Sequence, residues 1–299
     1  MTTIGGLGEA ELLRRILPYL STSGYEVVAG ADDAAAWRSQ EPDHRGDYVV
    51  ASCDTFVEGI HFDLSWTTPD EVGYRAVAFA LGDLAAKGAS PTYALAALAV
   101  PPTWNVDRVV ELYRGMSDLA DRVGLKIAGG DTTAIDGPAV LTLAVLGETA
   151  LAPLPRARVQ PGWVVAVTGP LGGSLVALRE HRVLLLDPLL EEGSRLNEAG
   201  LCCGDISDGL VREMEKFAAA SGCGSVVRAA DVPVASGATL EDALTSGEEV
   251  ELVCVGPEDM VRAAGLEPLG VMTREPMVRV LDAKGAEIHL STTGYDHFA

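Results

Sequence analysis

The sequence has 299 residues, of which 48% are hydrophobic and 5% aromatic, and its formal net charge is -21 at pH 7. This length accommodates one large or two medium domains with cores of small aliphatic side chains. The negative charge argues against sequence-independent binding to nucleic acid, which needs lysine and arginine to displace counterions, and against an anionic membrane surface. Free ATP would also be repelled, so phosphate chemistry here would have to depend on cations.

Targeting signals and cysteine usage indicate a cytoplasmic protein. No basic segment followed by an apolar one opens the sequence, and the longest apolar run, residues 94–102, is far shorter than the ~20 residues of a membrane span. The five cysteines are odd in number and form no Cys-x-x-Cys pair, so we expect reduced, mostly buried thiols. Cys53 is interpreted as a small buried residue rather than a nucleophile.

Helices and strands are predicted to alternate in the first half of the chain. Helical spacing of apolar residues predicts a helix over residues 7–20, which Pro18 should end or distort. Thr68 and Pro69 favour the start of a long helix that ends near Gly88, and Asn105 and Gly124 bound another. Short apolar runs predict strands at 25–29, 48–51, 92–100, 125–128 and 139–146.

A proline-rich stretch at residues 151–158 predicts a boundary, so that residues 1–150 and 151–299 form separate domains. The glycine loop at 169–173 does not match G-x-G-x-x-G and is interpreted as a packing turn. The second half is predicted to contain strands at 163–168, 224–228, 250–255 and 277–282 and helices at 174–180, 183–199, 210–220 and 236–246.

Acidic residues recur at turns and at the ends of predicted elements. Each motif alone is also ordinary turn or cap chemistry. Together they fit coordination of a hard cation by oxygen, because Mg²⁺ prefers a few carboxylates plus substrate phosphates. The motifs are Asp32-Asp33, Asp54, Asp83, Asp131 and Asp205-x-x-Asp208.

No P-loop sequence and no protein-kinase motif set is present. If the protein handles ATP, aspartate-held Mg²⁺ and glycine-loop amides must therefore replace the P-loop lysine. Gly129-Gly130-Asp131 is predicted to leave its strand as a loop whose backbone approaches phosphate closely.

Taken together, these motifs resemble the thiamine-monophosphate kinase family of the PurM-like ATP-binding superfamily. The most specific matches are residues 54–62, Asp-Thr-Phe-Val-Glu-Gly-Ile-His-Phe, and residues 294–298, Gly-Tyr-Asp-His-Phe. The other matching pieces follow in the family's order along nearly the whole chain: Asp32–Ala35, Gly82–Ala89, Gly129–Thr133, Arg156, Pro161-Gly162, Val167–Gly169 and Asp205–Leu210.

The resemblance implies an α/β domain followed by an α+β domain, in a homodimer formed through the sheet of the first domain. It implies ATP-dependent phosphorylation of thiamine monophosphate by direct in-line transfer with Mg²⁺, and Asp54 and Asp208 are the expected catalytic residues. The implied Mg²⁺ ligands are Asp33, Ser52, Asp54, Asp83, Asp131, Asp205 and Asp208; Gly130, Arg156 and Ser207 would contact ATP; His61, Glu248 and Tyr295 would face the acceptor.

Departures from the family's pattern keep two alternatives open: a superfamily member with another acceptor, and an ATP-binding paralogue without catalytic activity. A reactive N-terminal cysteine or a C-terminal cysteine, which two other superfamily branches require, is missing from the sequence. The departures are Cys53 in place of the usual threonine, a reduced proline segment at Asp187–Leu190, Ala80 and Gly82 before Asp83, and Glu249 and Val250 after Glu248.

Overall fold

Two six-stranded sheets with packed helices make up the chain, in a computed structural model that describes residues 5–6, 8–20, 26–28, 32–39 and 47–298. The strand predicted at 25–29 therefore falls partly outside the described residues. The first sheet has the order β1-β2-β3-β6-β4-β5, in which only β4 and β5 pair in parallel. Its strands are β1 Glu26–Val28, β2 Ala35–Arg38, β3 Tyr48–Val57, β4 Ser90–Val100, β5 Lys126–Ala134 and β6 Val140–Thr149.

Three α-helices belong to this half: α1 Glu9–Ile16, α2 Pro69–Ala86 and α3 Val106–Val123. The predicted ends of α2 and α3 are confirmed. The Thr68 amide donates to the Glu71 carboxylate at 2.8 Å, the Asn105 side chain accepts from the Asp107 amide, and Gly124 ends α3 in the left-handed conformation. The first predicted helix is shorter than expected, because a 3-10 turn containing Pro18 follows Ile16.

The second sheet has the order β12-β9-β11-β7-β10-β8, with only β12 and β9 parallel. Its strands are β7 Val164–Val167, β8 Cys202–Asp205, β9 Gly224–Arg228, β10 Leu252–Gly256, β11 Gly270–Thr273 and β12 Val278–Leu281. The helices of this half are α4 Gly173–Arg179, α5 Leu190–Glu198, α6 Leu210–Ser221, α7 Leu240–Thr245 and α8 Glu258–Ala263.

Several predictions of element length were wrong. The helix predicted at 183–199 begins only at Leu190, and the one at 236–246 only at Leu240. The short elements β2, β8, β11 and α8 were not predicted, because four to six residues give too little periodicity to recognise. Residues 129–134 continue strand β5 instead of forming a loop.

A shared buried cluster joins the two halves. Ala85 and Ala86 at the end of α2 lie in one apolar cluster with Leu196 of α5, Cys203 of β8 and Cys254 of β10. The C-terminal end of α2 is therefore held against the second sheet. Among the described helices, none combines the length and the hydropathy that a membrane span requires.

Candidate active site

An acidic cleft lies where the end of α2 meets the second sheet. The side chains of Asp33, Asp83 and Asp205 each place a carboxylate oxygen within 4.8 Å of the other two. The cleft has a volume of about 1220 Å³, large enough for a nucleotide and a second small molecule. The predicted site residues that line it are Asp33, Ser52, Asp54, His61, Asp83, Arg156, Asp205, Ser207, Asp208, Glu248 and Tyr295.

Strand β3 carries Asp54, the aspartate at the centre of the predicted site. The prediction of a strand ending at Ala51 was wrong, because β3 pairs with β6 continuously from Tyr48 to Val57. Alternation along the strand places the Ser52 and Asp54 side chains on one face of the sheet and the Cys53 side chain on the other. Cys53 is therefore exposed, which corrects its interpretation as a buried residue. The other four cysteines are buried and free, as predicted.

Two buried carboxylates line the cleft, one from each half of the chain. Asp83 lies in the last turns of α2 and Asp205 at the end of β8, and both are less than a tenth exposed. Burial, reinforced by neighbouring carboxylates, raises the pKa of each well above its ordinary value. The Ser52 hydroxyl donates to the Asp83 carboxylate and lies 3.2 Å from the Asp33 carbonyl oxygen.

Two buried cations hold the Asp32-Asp33 pair in place. Lys87, directly after α2, has no exposed surface; its ammonium contacts Asp32, lies 2.7 Å from Asp33 Oδ2 and donates to the Cys203 carbonyl at 3.0 Å. The Arg156 guanidinium pairs with Asp33 and with the carboxylate of Glu213 on α6. Although burial alone would raise it, these cations lower the pKa of Asp33 to about 2.

The remaining acids carry charge that protein cations do not fully balance. Burial raises the pKa of Asp54 to about 6, with Asp208 and Asp33 adding to the increase and Lys216 opposing it. Like charges held this close repel one another, and a divalent cation among them would remove that cost. The donor set, all carboxylate with one hydroxyl, is the chemistry that Mg²⁺ selects. The residues therefore fit a magnesium site.

The turn between β8 and α6 supplies the cleft's other acidic side. Ser207 is exposed there, and Asp208 lies 2.9 Å from the ammonium of Lys216, one turn after Glu213 on α6. The Asp208 carbonyl accepts from the Tyr295 amide at 3.0 Å, and the Ser207 carbonyl accepts from the Glu248 amide at 2.8 Å. These bonds fix the segments of Tyr295 and Glu248 to the acidic end.

Gly130 and Asp131 lie elsewhere. Both belong to β5, which is the edge strand of the first sheet, and neither lines the cleft. A Cβ atom at Gly130 would come within 1.7 Å of the Ala96 carbonyl oxygen, so this glycine is explained by close pairing of β5 with β4. The exposed Asp131 carboxylate accepts from the Thr132 amide at 2.9 Å.

Aromatic and histidine side chains form the part of the cleft that adjoins the Ser207–Asp208 turn. The His61 ring lies 5.5 Å from the Phe56 ring and 5.3 Å from the His297 ring, and Tyr295 meets His297 edge-on at 4.8 Å. The Val57 amide donates to His61 Nδ1 at 3.1 Å, so Nε2 carries the proton in the neutral ring. Burial and the His297 ring lower the pKa of His61, which favours that neutral form.

Glu248 completes this part of the cleft in an uncommon conformation. Its φ angle of 58° is left-handed, a region that non-glycine residues rarely occupy. Arg75 of α2 donates to its carboxylate at 2.5 Å, while burial raises the pKa of Glu248. A strained residue held by an ion pair in a cleft is typical of a ligand-binding position.

The departures next to Asp83 and Glu248 lie behind the cleft. None of the four residues lines it: Ala80 and Val250 are buried in the core, and Gly82 packs with its Cα against the Asp205 side chain. Glu249 accepts hydrogen bonds from the amides of Gly172 and Ser174, at 2.9 and 3.2 Å. The amides at the glycine loop before α4 are thus hydrogen-bonded to a protein carboxylate. The loop is a packing turn, as predicted.

Sequence reasoning missed four charged residues of the site: Arg75, Lys87, Glu213 and Lys216. Lys87 resembles an ordinary helix-end lysine, and Arg75 a residue on an exposed helix face. One signal was available on α6, where Glu213 and Lys216 are spaced by three residues and follow Asp208 closely, so that one helix face carries both charges toward the acidic motif.

Comparison with known proteins identifies the class first. Residues 31–149 match the family model described as "AIR synthase related protein, N-terminal domain". The solved structure described as "AaThiL complexed with AMPPCP and TMP" superposes with a TM-score of 0.80 at 23% identity, covering 99% of both chains. The fold is therefore the mixed α/β, PurM-like fold that the sequence predicted.

Curated relatives identify the family. The thiamine-monophosphate kinase of Rhodopirellula baltica is 32% identical over 258 residues, covering 82% of this chain and 79% of its own length. The Escherichia coli K12 enzyme of that name is 30% identical over 331 aligned residues, covering 98% of each chain. The chain belongs to the thiamine-monophosphate kinase family, and the predicted enzyme class is confirmed at the level of the family.

Proposed function

We propose that this protein transfers the terminal phosphoryl group of ATP to the phosphate of thiamine monophosphate, giving thiamine diphosphate and ADP. The observation that carries the proposal is a single cleft lined both by mutually repelling carboxylates and by His61, Tyr295 and Glu248. The relatives' names, and the AMPPCP and TMP named with the similar solved structure, support the same donor and acceptor.

Six clustered oxygen-bearing residues would hold Mg²⁺, which when bound would neutralise the donor and acceptor phosphates. Asp54 and Asp208, which face the cleft from different halves of the chain, are the proposed catalytic pair. Ser207 is exposed beside them, and Arg156 reaches the cleft through its ion pairs. Roles for Gly130 and Asp131 stay predictions. The six proposed ligands are Asp33, Ser52, Asp54, Asp83, Asp205 and Asp208.

The transfer itself needs little proton chemistry. The second pKa of a phosphate monoester is ~6, so the acceptor is already ionised at neutral pH and no strong general base is required. An acceptor phosphate oxygen forms the new bond to the terminal phosphorus, the bond to the bridging oxygen breaks, and ADP leaves with that electron pair. The proposed transfer is direct and in line, without a phosphoenzyme, and the protein contributes positioning and electrostatics.

ATP-dependent formation of thiamine diphosphate, measured by chromatography with Mg²⁺ present, tests the proposal. We expect His61→Ala to raise KM for thiamine monophosphate about tenfold through loss of one desolvated contact, while KM for ATP stays unchanged. His289→Ala is the control, because His289 is exposed and outside the cleft lining. Binding of ATP without any product would instead favour the non-catalytic paralogue.

We also propose a homodimer formed through the first sheet. Helix α2 covers one face of this sheet, and no described helix covers the other. Along β4, Tyr93 and Leu95 are about half exposed, and the outward residues of β3 and β6 near them are Cys53, Thr55, Thr142, Ala144 and Leu146. This face is apolar along β4, with the Lys126 ammonium 5.8 Å from the centre of the Tyr93 ring at its rim, and it fits a second copy of the chain.

Leu95→Glu is expected to convert the dimer to a monomer, because it places a charge in the middle of this apolar face. Sedimentation velocity measures the change in mass, with Val110→Glu on the exposed face of α3 as the control. A monomeric wild-type protein, or an unchanged dimer in Leu95→Glu, would contradict the interface.

The domain boundary at residues 150 and 151 also remains a proposal, consistent with sheets that occupy 26–149 and 164–281. The cytoplasmic location remains a prediction.

A further inference from the structure

Lys216 is a charged residue of the cleft that is neither a proposed Mg²⁺ ligand nor a proposed substrate contact. Its ammonium nitrogen, projected from α6, lies 2.9 Å from Asp208 Oδ2 and 3.3 Å from Glu213 Oε2. The side chain is 34% exposed and lines the cleft beside Asp208 and Asp54. It therefore stands at the surface of the site and not behind it.

The other two cations of the cluster have almost no free surface. The Lys87 side chain is 0% exposed and Arg156 3%, and both are surrounded by protein acceptors: Asp32, Asp33, Glu213 and a main-chain carbonyl. In the part of the chain that the structure describes, Arg156 and Lys216 are the only lysine or arginine residues lining the cleft. Lys216 is thus the cation with surface free to meet an incoming anion.

The charge balance shows why such a cation matters. Seven carboxylates described in the cluster face three protein cations: Asp32, Asp33, Asp54, Asp83, Asp205, Asp208 and Glu213 against Lys87, Arg156 and Lys216. A phosphate chain entering this cleft meets a strong negative field, and each accessible positive charge lowers that barrier. Neutralising Asp208 alone does not require Lys216, because the Asp208 side chain is 22% exposed to solvent.

We propose that Lys216 contacts the phosphate chain of the bound nucleotide as a point charge, releasing Asp208 when the cleft is loaded. This deepens the proposed function and rests on it for the nucleotide. Lysine commonly binds phosphate in this way, as a mobile ammonium on a flexible stem. The competing interpretation is that Lys216 only balances Asp208 and Glu213 within the protein.

Calorimetric titration separates the two interpretations. With Mg²⁺ alone, Lys216→Met is expected to bind the ion at least as tightly as wild type, because a competing cation has been removed. With AMPPCP at saturating Mg²⁺, the same variant is expected to bind about tenfold more weakly, the size of one lost charge-assisted contact. Steady-state kinetics should show KM for ATP raised and KM for thiamine monophosphate unchanged.

Two further variants serve as comparisons. Lys216→Arg keeps the charge and should recover most of the AMPPCP affinity, whereas Arg262→Met removes one positive charge from an exposed ion pair on α8 and should leave it unchanged. If Lys216→Met does not fold, Lys216→Gln removes the charge while keeping a hydrogen-bond donor near Asp208.

If Lys216→Met binds AMPPCP as tightly as wild type, the proposal is overturned, whether or not the melting temperature falls. It is also overturned if Arg262→Met weakens AMPPCP binding as much as Lys216→Met does. A wild-type protein that binds no AMPPCP would overturn it as well. A wild-type protein that binds AMPPCP but makes no thiamine diphosphate would refute the acceptor, while the effects of Lys216 on AMPPCP binding would still stand.

Discussion

Asp54→Asn is expected to lower kcat for thiamine diphosphate formation by about 100- to 1000-fold or more while leaving the fold intact. Asp54 is the only carboxylate of the β3 strand that faces the cleft among the described residues, and it is close enough to Asp208 and Asp33 for their charges to raise its pKa. An amide keeps its size and hydrogen bonding but removes the charge that would hold Mg²⁺. Turnover is measured at saturating ATP, acceptor and Mg²⁺.

Although Asp54→Asn should lower turnover, it should raise the stability of the metal-free protein at high pH. The pKa of Asp54 is raised to about 6 in the folded chain, so its folded form holds a proton that the unfolded form has already lost. The free energy of unfolding of the metal-free protein should therefore fall as pH rises from about 4 to about 6, by an amount bounded at ~3 kcal/mol for this group. Asp54→Asn lacks this contribution and should be more stable than wild type at pH 8 without metal.

Controls distinguish this from a general charge effect. Asp136→Asn, in the exposed turn before β6, removes one carboxylate and should change neither turnover nor the pH dependence of stability. Mg²⁺ should raise the melting temperature of wild type and of Asp136→Asn more than that of Asp54→Asn, since binding stabilises only the folded state. Near-normal turnover in Asp54→Asn would remove the basis of the proposed site.

Arg156→Met is expected to lower the free energy of unfolding by about 3–5 kcal/mol, because it leaves buried carboxylates without their partner. The Arg156 guanidinium is 3% exposed and bonds to Asp33 and Glu213, and its backbone amide donates to Asp32 at 2.7 Å. Urea denaturation in the presence of EDTA measures the loss without interference from bound metal.

Removing one orphaned charge should restore part of that stability. Arg156→Met combined with Glu213→Gln is expected to be more stable than Arg156→Met alone, since Lys87 still pairs with Asp33. Arg156→Lys keeps one charge but cannot bridge two carboxylates, so its loss should be intermediate. Arg179→Met removes an exposed arginine from its pair with Asp242 and should lower the free energy of unfolding far less, because exposed ion pairs contribute little. A loss no larger in Arg156→Met than in Arg179→Met would show that the buried network contributes little.

Local chemistry in the sequence was sufficient to predict the helix ends and the acidic motifs. Thr68, Asn105 and Gly124 act within one turn of themselves, so their effect can be recognised without knowing the fold. The acids Asp83, Asp205 and Asp208 were recognisable because each interrupts an apolar segment or starts a turn, positions where a charge is costly unless it is used.

Strand lengths and the position of Gly130 and Asp131 were not predictable in the same way. Polar residues in β3 and glycines in β5 read locally as the end of a strand. They remain in strands because β6 and β4 supply hydrogen-bond partners along their whole length. Such pairing between distant segments overrides local preference, and it also moved Asp131 to a sheet edge away from the cleft.

By itself the sequence determined which side chains are available: clustered carboxylates, a histidine–aromatic segment at 54–62, and a matching C-terminal segment at 294–298. Only the tertiary structure decided which of them meet, and which cations lie among them. Lys87 and Lys216 occupy sequence positions typical of solvated surface charges. They become part of the site because α2 and α6 are packed against the second sheet, and burial beside carboxylates depends on that packing, which no local pattern records.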